Sequence, residues 1–210
     1  MRRVLLILLL VLVAPAGAMA ADPVFNDQQR ADLRRISDYL NSMRSLTGRF
    51  LQIGPDGTPV EGTFYLKKPN RLRFEYDKPS PLLVIADGYA LVVQNLALRT
   101  TDRYPLIGSP LRVLLADDVD LNDDSHIVGV RREAGALLLT AQQESGPAQG
   151  QITISFADSG GVLELRQWEV IDAQGMRTVV VVNGIRAGLE LQPDLFVVRN
   201  LHAAPRRLRR

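Results

Sequence analysis

The hydrophobic positions change their spacing once along this chain. Between residues 27 and 43 they recur every three or four. Leu33, Ile36, Tyr39 or Leu40, and Met43 form one stripe, with Arg30, Arg34, Arg35 and Asp38 on the other side. That spacing predicts an amphipathic helix over 27–43, with Asp22 or Asn26 available as its cap. Beyond it the period becomes two, most clearly over residues 61–88. There Phe64 and Leu66 share one face, and Leu72, Phe74 and Tyr76 share a face opposite Arg71, Arg73 and Glu75. Lys67-Lys68-Pro69-Asn70 lies between these runs, and Asp77-Lys78-Pro79-Ser80-Pro81 precedes another at 82–86. Alternation bounded by Pro and Asn predicts antiparallel hairpins. Proline cannot donate to a ladder, so Pro69, Pro79 and Pro81 are expected outside central pairings.

The same reading places strands at 47–53, 60–67, 71–77, 82–86, 89–94, 98–104, 126–132, 137–142, 151–156, 163–171 and 176–185. Gly54-Pro55-Asp56-Gly57, Asp87-Gly88, Gly160-Gly161 and Asp172-Ala173-Gln174-Gly175 supply turn chemistry between them, and Gly62 reads as a turn or bulge residue. Ser109-Pro110-Leu111 opens a second short helix with Val113, Leu114 and Leu115 as its apolar side. Leu195-Phe196-Val197-Val198 is expected to dock on the sheet. About eleven strands with these spacings suit a meander or barrel-like sheet, and without a linker or repeat one domain over 21–200 is expected. Residues 201–210 read as a basic, disordered tail.

Composition adds an address. Met1-Arg2-Arg3, an apolar run over 4–13 and Ala18-Met19-Ala20 read as a secretory signal peptide over residues 1–20. The chain has no Cys, so an exported product relies on its core rather than on disulfides and carries no lipidation cysteine after the leader. A soluble periplasmic protein is the expectation. Lys plus Arg number 25 against 23 Asp plus Glu; without Arg2 and Arg3 the balance is neutral, and four of the remaining positives sit in Arg206-Arg207-Leu208-Arg209-Arg210. Charge therefore gives nucleic-acid binding no support. The arginine run suits anionic lipid, an acidic partner or mere solubility.

Catalytic chemistry finds no constellation. There is no Cys nucleophile and no G-x-S-x-G elbow, and His126 and His202 lack sequence partners for a triad or metal site. Aligning Asp120, Asn122 and Asp124 to a calcium loop puts Ser125 where Gly is required and Arg131 where the bidentate Glu belongs, so the acidic run reads as a solvated loop. No enzyme, metal or cofactor is expected. Aromatics make up 6% of the chain against 46% hydrophobic residues overall, so the apolar content is mainly aliphatic. It fits either a filled sandwich or a curved sheet whose concave face holds a lipid under helices.

The order of motifs is more specific. Phe50-x-Gln52, Glu61-Gly62-x-Phe64-x-Leu66, Lys68-Pro69-x-Arg71-x-Arg73-Phe74-x-Tyr76, Pro79, Ala86-Asp87-Gly88 and Pro110-x-x-x-Leu114-Leu115 follow one another along the chain. In this order they resemble the outer-membrane lipoprotein carrier family, the LolA-like proteins. The resemblance implies an incomplete, half-open antiparallel β-barrel with a helical lid, whose concave face binds acyl chains. It implies lipoproteins as cargo, an ATP-driven inner-membrane release transporter as donor, and an outer-membrane receptor or membrane as acceptor, with the carrier a monomer. The acyl site is then expected at Phe50, Phe64, Leu66, Leu72, Phe74, Tyr76, Val84, Leu114, Leu115 and Trp168. Lys68 stands where the family commonly has an Arg that contacts the lid; on residue chemistry alone the Lys67-Lys68 pair reads as a surface turn. The Arg tail replaces the family's C-terminal strand region. Alternatives are a carrier of another lipid, such as a glycolipid or hopanoid, on the same fold, a lipoprotein-sensing module, and a lipid enzyme.

Overall fold

The computed structural model describes residues 24–107, 109–146 and 149–202. The expected leader over 1–20 and the arginine run at 206–210 lie outside them. The first element is a helix, α1 (Asp27–Ser42), begun by a reciprocal cap in which Asn26 Oδ1 accepts from Gln29 N at 2.9 Å and Asn26 N donates to Gln29 Oε1 at 3.0 Å. Six strands follow: β1 (Ser45–Ile53), β2 (Pro59–Lys67), β3 (Arg71–Tyr76), β4 (Leu82–Asp87), β5 (Ala90–Asn95) and β6 (Thr100–Pro105). A single helical turn, α2 (Arg112–Leu115), leads to β7 (Ile127–Glu133), β8 (Ala136–Gln143), β9 (Gly150–Ser159), β10 (Val162–Asp172) and β11 (Arg177–Ala187), then a 3-10 turn at Pro193–Phe196.

All eleven strands join one antiparallel sheet in the order β6-β5-β4-β3-β2-β1-β11-β10-β9-β8-β7. The chain enters at the middle, walks to one edge, crosses over, and returns from the other edge until β11 meets β1. The edges β6 and β7 are thus neighbours in sequence and strangers in the sheet. No pairing joins them among the described residues, which leaves the barrel open. The crossing segment, residues 106–126, carries α2. Curvature is increased by bulges between Thr47 and Arg49, Ile127 and Gly129, and Leu165 and Gln167.

Because every connection within each half is a hairpin, turns alternate between two ends of the sheet. The β2–β3, β4–β5 and β9–β10 turns lie at one end. The β3–β4, β5–β6 and β10–β11 turns lie at the other. Leu33, Ile36 and Leu40 of α1, Met43 that caps it, and Val113, Leu114 and Leu115 of α2 share a core with the inward residues of the strands. The helices therefore fill the concave face.

Several boundaries differ from the periodicity: β1 begins at Ser45 rather than 47, β9 runs to Ser159 rather than 156, and β11 to Ala187 rather than 185. β6 begins at Thr100 rather than 98, because Asn95 Oδ1 accepts from the amides of Ala97 and Leu98 and folds 96–99 into a turn. α2 is one turn long: Ala116 is extended, and the chain from there runs back along α1. The segment at 195–198 docks on the outer face, not the inner one. Phe196 and Leu191 are buried there, and Arg73 Nη1 and Gln94 Nε2 donate to the Leu195 and Arg199 carbonyls at 2.9 Å each.

Candidate functional site

Strand register arranges the inner face in rows. Leu46, Leu66, Leu72 and Ala86 are cross-strand neighbours, as are Phe64, Phe74 and Val84. A third row runs Gln52, Val180, Trp168, Ile154, Leu139 and Val130. The rows bring the aromatic rings together at the seam. Phe50 meets Phe74 and Tyr76 edge-on at 4.6 and 5.1 Å between centroids, and Phe74 meets Phe64 at 6.2 Å and Trp168 at 6.1 Å. All ten residues expected at the acyl site fall in this one cluster: Phe50, Phe64, Leu66, Leu72, Phe74, Leu114, Leu115 and Trp168 within it, Tyr76 and Val84 packed against it.

Gly62 corrects the turn-or-bulge expectation. It lies inside β2, between Phe50 and Tyr76 on the flanking strands. A Cβ there would stand 2.1 Å from the Glu75 carbonyl oxygen and 2.6 Å from the Phe50 ring. The glycine is required so that the two rings can meet across it. Gly88, by contrast, is a turn residue with φ +107°.

Gln52, the polar member of its row, accepts the Tyr76 hydroxyl at 2.7 Å. Burial pushes the Tyr76 phenol up to about 12. The hydroxyl thus stays protonated and paired at the end of the aromatic cluster.

α1 is fixed to the β7–β10 flank by polar groups. The buried carboxylate of Asp32 receives Arg132 of β7 through both oxygens, with Arg35 3.7 Å away. Arg35 forks onto Asp158 at 3.0 and 2.8 Å, which lowers the Asp158 carboxyl. The Tyr39 hydroxyl accepts from Leu165 N, at the β10 bulge. Along another stripe of α1 the crossing segment is laced down. Asn41 makes both bonds to the Val119 backbone, Ser37 Oγ accepts from Leu121 N, Arg44 pairs with Asp117, and Asn122 Nδ2 donates to the Arg30 carbonyl. α1 and the crossing segment form one cover.

The β2–β3 turn touches this cover twice. Lys68 Nζ donates to the Leu40 carbonyl at 2.8 Å, and Asn70 N donates to the Leu115 carbonyl at 2.8 Å. Both acceptors lie in the last turn of a helix, where carbonyls lack intrahelical donors. α1 has no basic residue in its own last turn, so Lys68 supplies the positive charge there from outside. Lys68 is only 7% exposed, which corrects its reading as a surface turn. Burial, with Arg44 nearby, lowers its ammonium to about 8. Asn70 reaches its acceptor from the left-handed region, at φ +58°.

The acidic run and His126 pair among themselves and with Arg112. His126 Nδ1 lies 2.7 Å from Asp124 Oδ1, which also holds the His126 amide, and Asp124 pairs with Arg112. Asp120 Oδ1 likewise accepts from Asn122 N, so the acidic run is built from turns. No cluster of His, Cys, Asp and Glu suited to a metal occurs among the described residues. A cleft of about 500 Å³ opens beside the cover, lined by Pro69, Asn70, Gly88, Leu106, Ile107 and Arg112 among others. Sequence reading missed the acceptor role of Gln52 and the helix-capping role of Asn70. The F-x-Q and K-P-N strings marked both positions, but only strand pairing shows what they face.

The described residues thus form a half-open antiparallel barrel whose aromatic inner face is stoppered by its own helices. The family profile described as outer membrane lipoprotein carrier protein LolA matches residues 41–199, and the chain belongs to that family. Among the relatives, the outer-membrane lipoprotein carrier protein of Azotobacter vinelandii is 25% identical, covering 89% of this chain and 91% of its own. That of Dechloromonas aromatica is 29% identical over 77% and 80%. A solved LolA superfamily protein from Nitrosomonas europaea aligns at 10% identity with a TM-score of 0.42, covering 81% of this chain and 98% of its own.

Proposed function

We propose that this chain is a periplasmic carrier that takes lipoproteins released from the inner membrane by an ATP-driven transporter, shields their acyl chains, and delivers them to a receptor or membrane on the outer side. The observation that carries this reading is the convergence of Phe50, Phe64, Leu66, Leu72, Phe74, Tyr76, Val84 and Trp168 on the concave face beneath Leu114 and Leu115. Family membership supports the choice of cargo.

The physical problem is solvation. Each exposed methylene of an acyl chain costs about 0.8 kcal/mol in water, so a triacylated anchor costs tens of kcal/mol to hold there. A membrane offers nearly the same shelter as an apolar groove. Transfer is therefore a near-balanced exchange whose direction is set by small differences between sites, and no covalent step is needed. The helices occupy the groove here, so loading replaces contacts made by Leu114, Leu115 and α1 with contacts to acyl chains. That is a shift between two states, driven by the cargo's preference for the open one. Lys68 and Asn70 hold the closed state at the helix ends. A lysine makes one directed bond where the guanidinium fork common in the family could make several.

The test incubates the mature protein with inner-membrane vesicles, ATP and a labelled lipoprotein. Label is expected to become soluble in a stoichiometric complex with the wild-type chain and to stay in the vesicles with a folded Phe74→Glu variant. Release by the variant at wild-type levels would remove Phe74 from the site. Absence of release from transporter-competent vesicles, with a glycolipid or hopanoid found in the purified protein by mass spectrometry, would replace the cargo.

A further inference from the structure

The open barrel has two edges, and they are not alike. β7 is interrupted by its bulge between Ile127 and Gly129, Gln29 Nε2 of α1 reaches the Val130 carbonyl at 3.4 Å, and Arg131 pairs with Glu133. β6 has no such cover among the described residues, and all six of its residues are exposed. Register tells which backbone groups it presents. Leu106 N donates to the Tyr89 carbonyl at 3.0 Å, one step beyond the Ala90–Pro105 pair. Antiparallel bonds recur at every second residue, so Thr100, Asp102 and Tyr104 turn their N–H and C=O groups to β5. Thr101 and Arg103 turn theirs outward, to no partner among the described residues. Pro105 shares the outward set, where its missing N–H costs the sheet no bond.

The strand also runs between two openings. At its end, Pro105 leads into Leu106, which is buried in the same core as Phe74 and Leu114. Leu106 and Ile107 line the cleft of about 500 Å³ beside the cover. At its start, a groove of about 760 Å³ lies between Leu98–Arg103 and Val198–His202. A chain that leaves the acyl cluster through the cleft is thus delivered to the edge, with roughly 20 Å of strand ahead of it.

We propose that the β6 edge takes the peptide that follows the lipidated cysteine of the cargo, as one more antiparallel strand. This rests on the carrier reading above. The peptide starts at the Pro105 end, beside the cleft, and runs toward Thr100. That is opposite to β6, the sense of the neighbouring β5–β6 pair. Main-chain bonds to Thr101 and Arg103 give affinity without reading side chains, which suits cargoes that share a lipid anchor and differ in sequence. A second copy of this chain fits the edge poorly. Two β6 edges facing through their outward residues set either Asp102 opposite Asp102 or Arg103 opposite Arg103 at full overlap, and like charges directly opposite repel.

The experiment uses two probes: a triacylated cysteinyl peptide, and the same triacylated cysteine as its methyl ester, which has no peptide. Emission of Trp168, the single tryptophan and a member of the acyl cluster, reports acyl loading. Hydrogen exchange reports the edge. Both probes should shift Trp168. Only the peptide probe should slow exchange at the Thr101 and Arg103 amides, by about tenfold, while the Asp102 and Tyr104 amides are slow from the start. N-methylation of alternate peptide amides, and separately Arg103→Pro, should each weaken the peptide probe by about fivefold relative to the methyl ester. Arg103 is exposed with its N–H outward, so proline is tolerated there, and the N-methylated probe needs no variant. A Trp168 shift with both probes but no added protection at Thr101 and Arg103, or full binding of the N-methylated probe, would overturn the edge site and leave the carrier reading intact. No Trp168 shift with either probe would overturn both. Equal protection by the methyl ester would assign the effect to movement of the cover. Protection in the free protein would assign the edge to a second copy if it rises with concentration, and to this chain itself if it does not. Each of these would overturn the proposal.

Discussion

The two flanks of the sheet, divided at the β1–β11 seam, hold their cover by different means. On the β7–β10 side, Leu137, Leu139, Ala141, Ile152, Ile154 and Phe156 are wholly buried, and α1 is bolted across them by Asp32–Arg132, Arg35–Asp158 and Tyr39–Leu165. On the β2–β6 side, Tyr76, Val84 and Leu91 are only partly buried, and the helices are held by Lys68 and Asn70 of one turn. One flank is a wall sealed by its helix; the other, which carries most of the aromatic cluster, meets a cover that a few hydrogen bonds keep in place. Local stability follows the density of such contacts, so the cover is expected to lift from the β2–β6 side and pivot on the β7–β10 side.

Core truncation tests this contrast most strongly. Phe156→Ala, beneath Tyr39, should cost about 4 kcal/mol in urea unfolding, and Val84→Ala on the other flank less than about 1.5 kcal/mol. Similar losses at both would erase the distinction. The glycines come next. Gly62→Ala should cost about 2–3 kcal/mol, since its methyl group would collide with β3 and with Phe50. Gly129→Ala in β7, whose nearest neighbour would be 4.0 Å away, should stay within about 0.5 kcal/mol of wild type.

Titration separates the attachments. Lys68 is lowered to about 8 from 10.5, so the folded state binds fewer protons between those values and its contribution to stability rises with pH there. Tyr76 is raised to about 12 from 10, so its contribution is lost as pH rises across that window. The carboxyl of Asp158, lowered by Arg35, contributes above the ordinary carboxylate range and is lost in acid. Hydrogen exchange should therefore loosen α1 at its Arg35 turn in acid. The alkaline rise should vanish in Lys68→Met; its persistence would mean that Lys68 is hydrated. The smallest effect is expected at the exposed Arg44–Asp117 pair, where Arg44→Ala should leave the urea midpoint within experimental error.

Most strands were legible because alternation is local: each hairpin declares its faces through its own residues. Leu72, Phe74 and Tyr76 opposite Arg71, Arg73 and Glu75 sufficed to place three inner residues. Lys68 was not legible as a buried group, because its partner Leu40 lies 28 residues away on a helix and nothing near Lys68 announces it. Gly62 needed the registers of two neighbouring strands at once. α2 was legible through its opening Ser109-Pro110-Leu111 and the apolar Val113, Leu114 and Leu115, not through a period, which a single turn is too short to show. One signal was available and unused. β4 and β5 read LLVIAD and ALVVQN, apolar on both faces, which marks strands covered on both sides. The outer cover is the segment holding Phe196, whose 3-10 turn packs on β3 and β4.

The strand order also has a kinetic side. Every neighbouring pair in the sheet is consecutive in sequence except β1 with β11, where Phe50 meets Val182. Loop-closure entropy is modest for each hairpin and largest for this one junction. Two meanders, β1–β6 and β7–β11, can therefore zip independently, and their meeting is expected to limit the rate. A circular permutant with the native ends joined and the chain opened within 106–126 would turn that junction into a neighbour contact. It should then refold faster than the natural order.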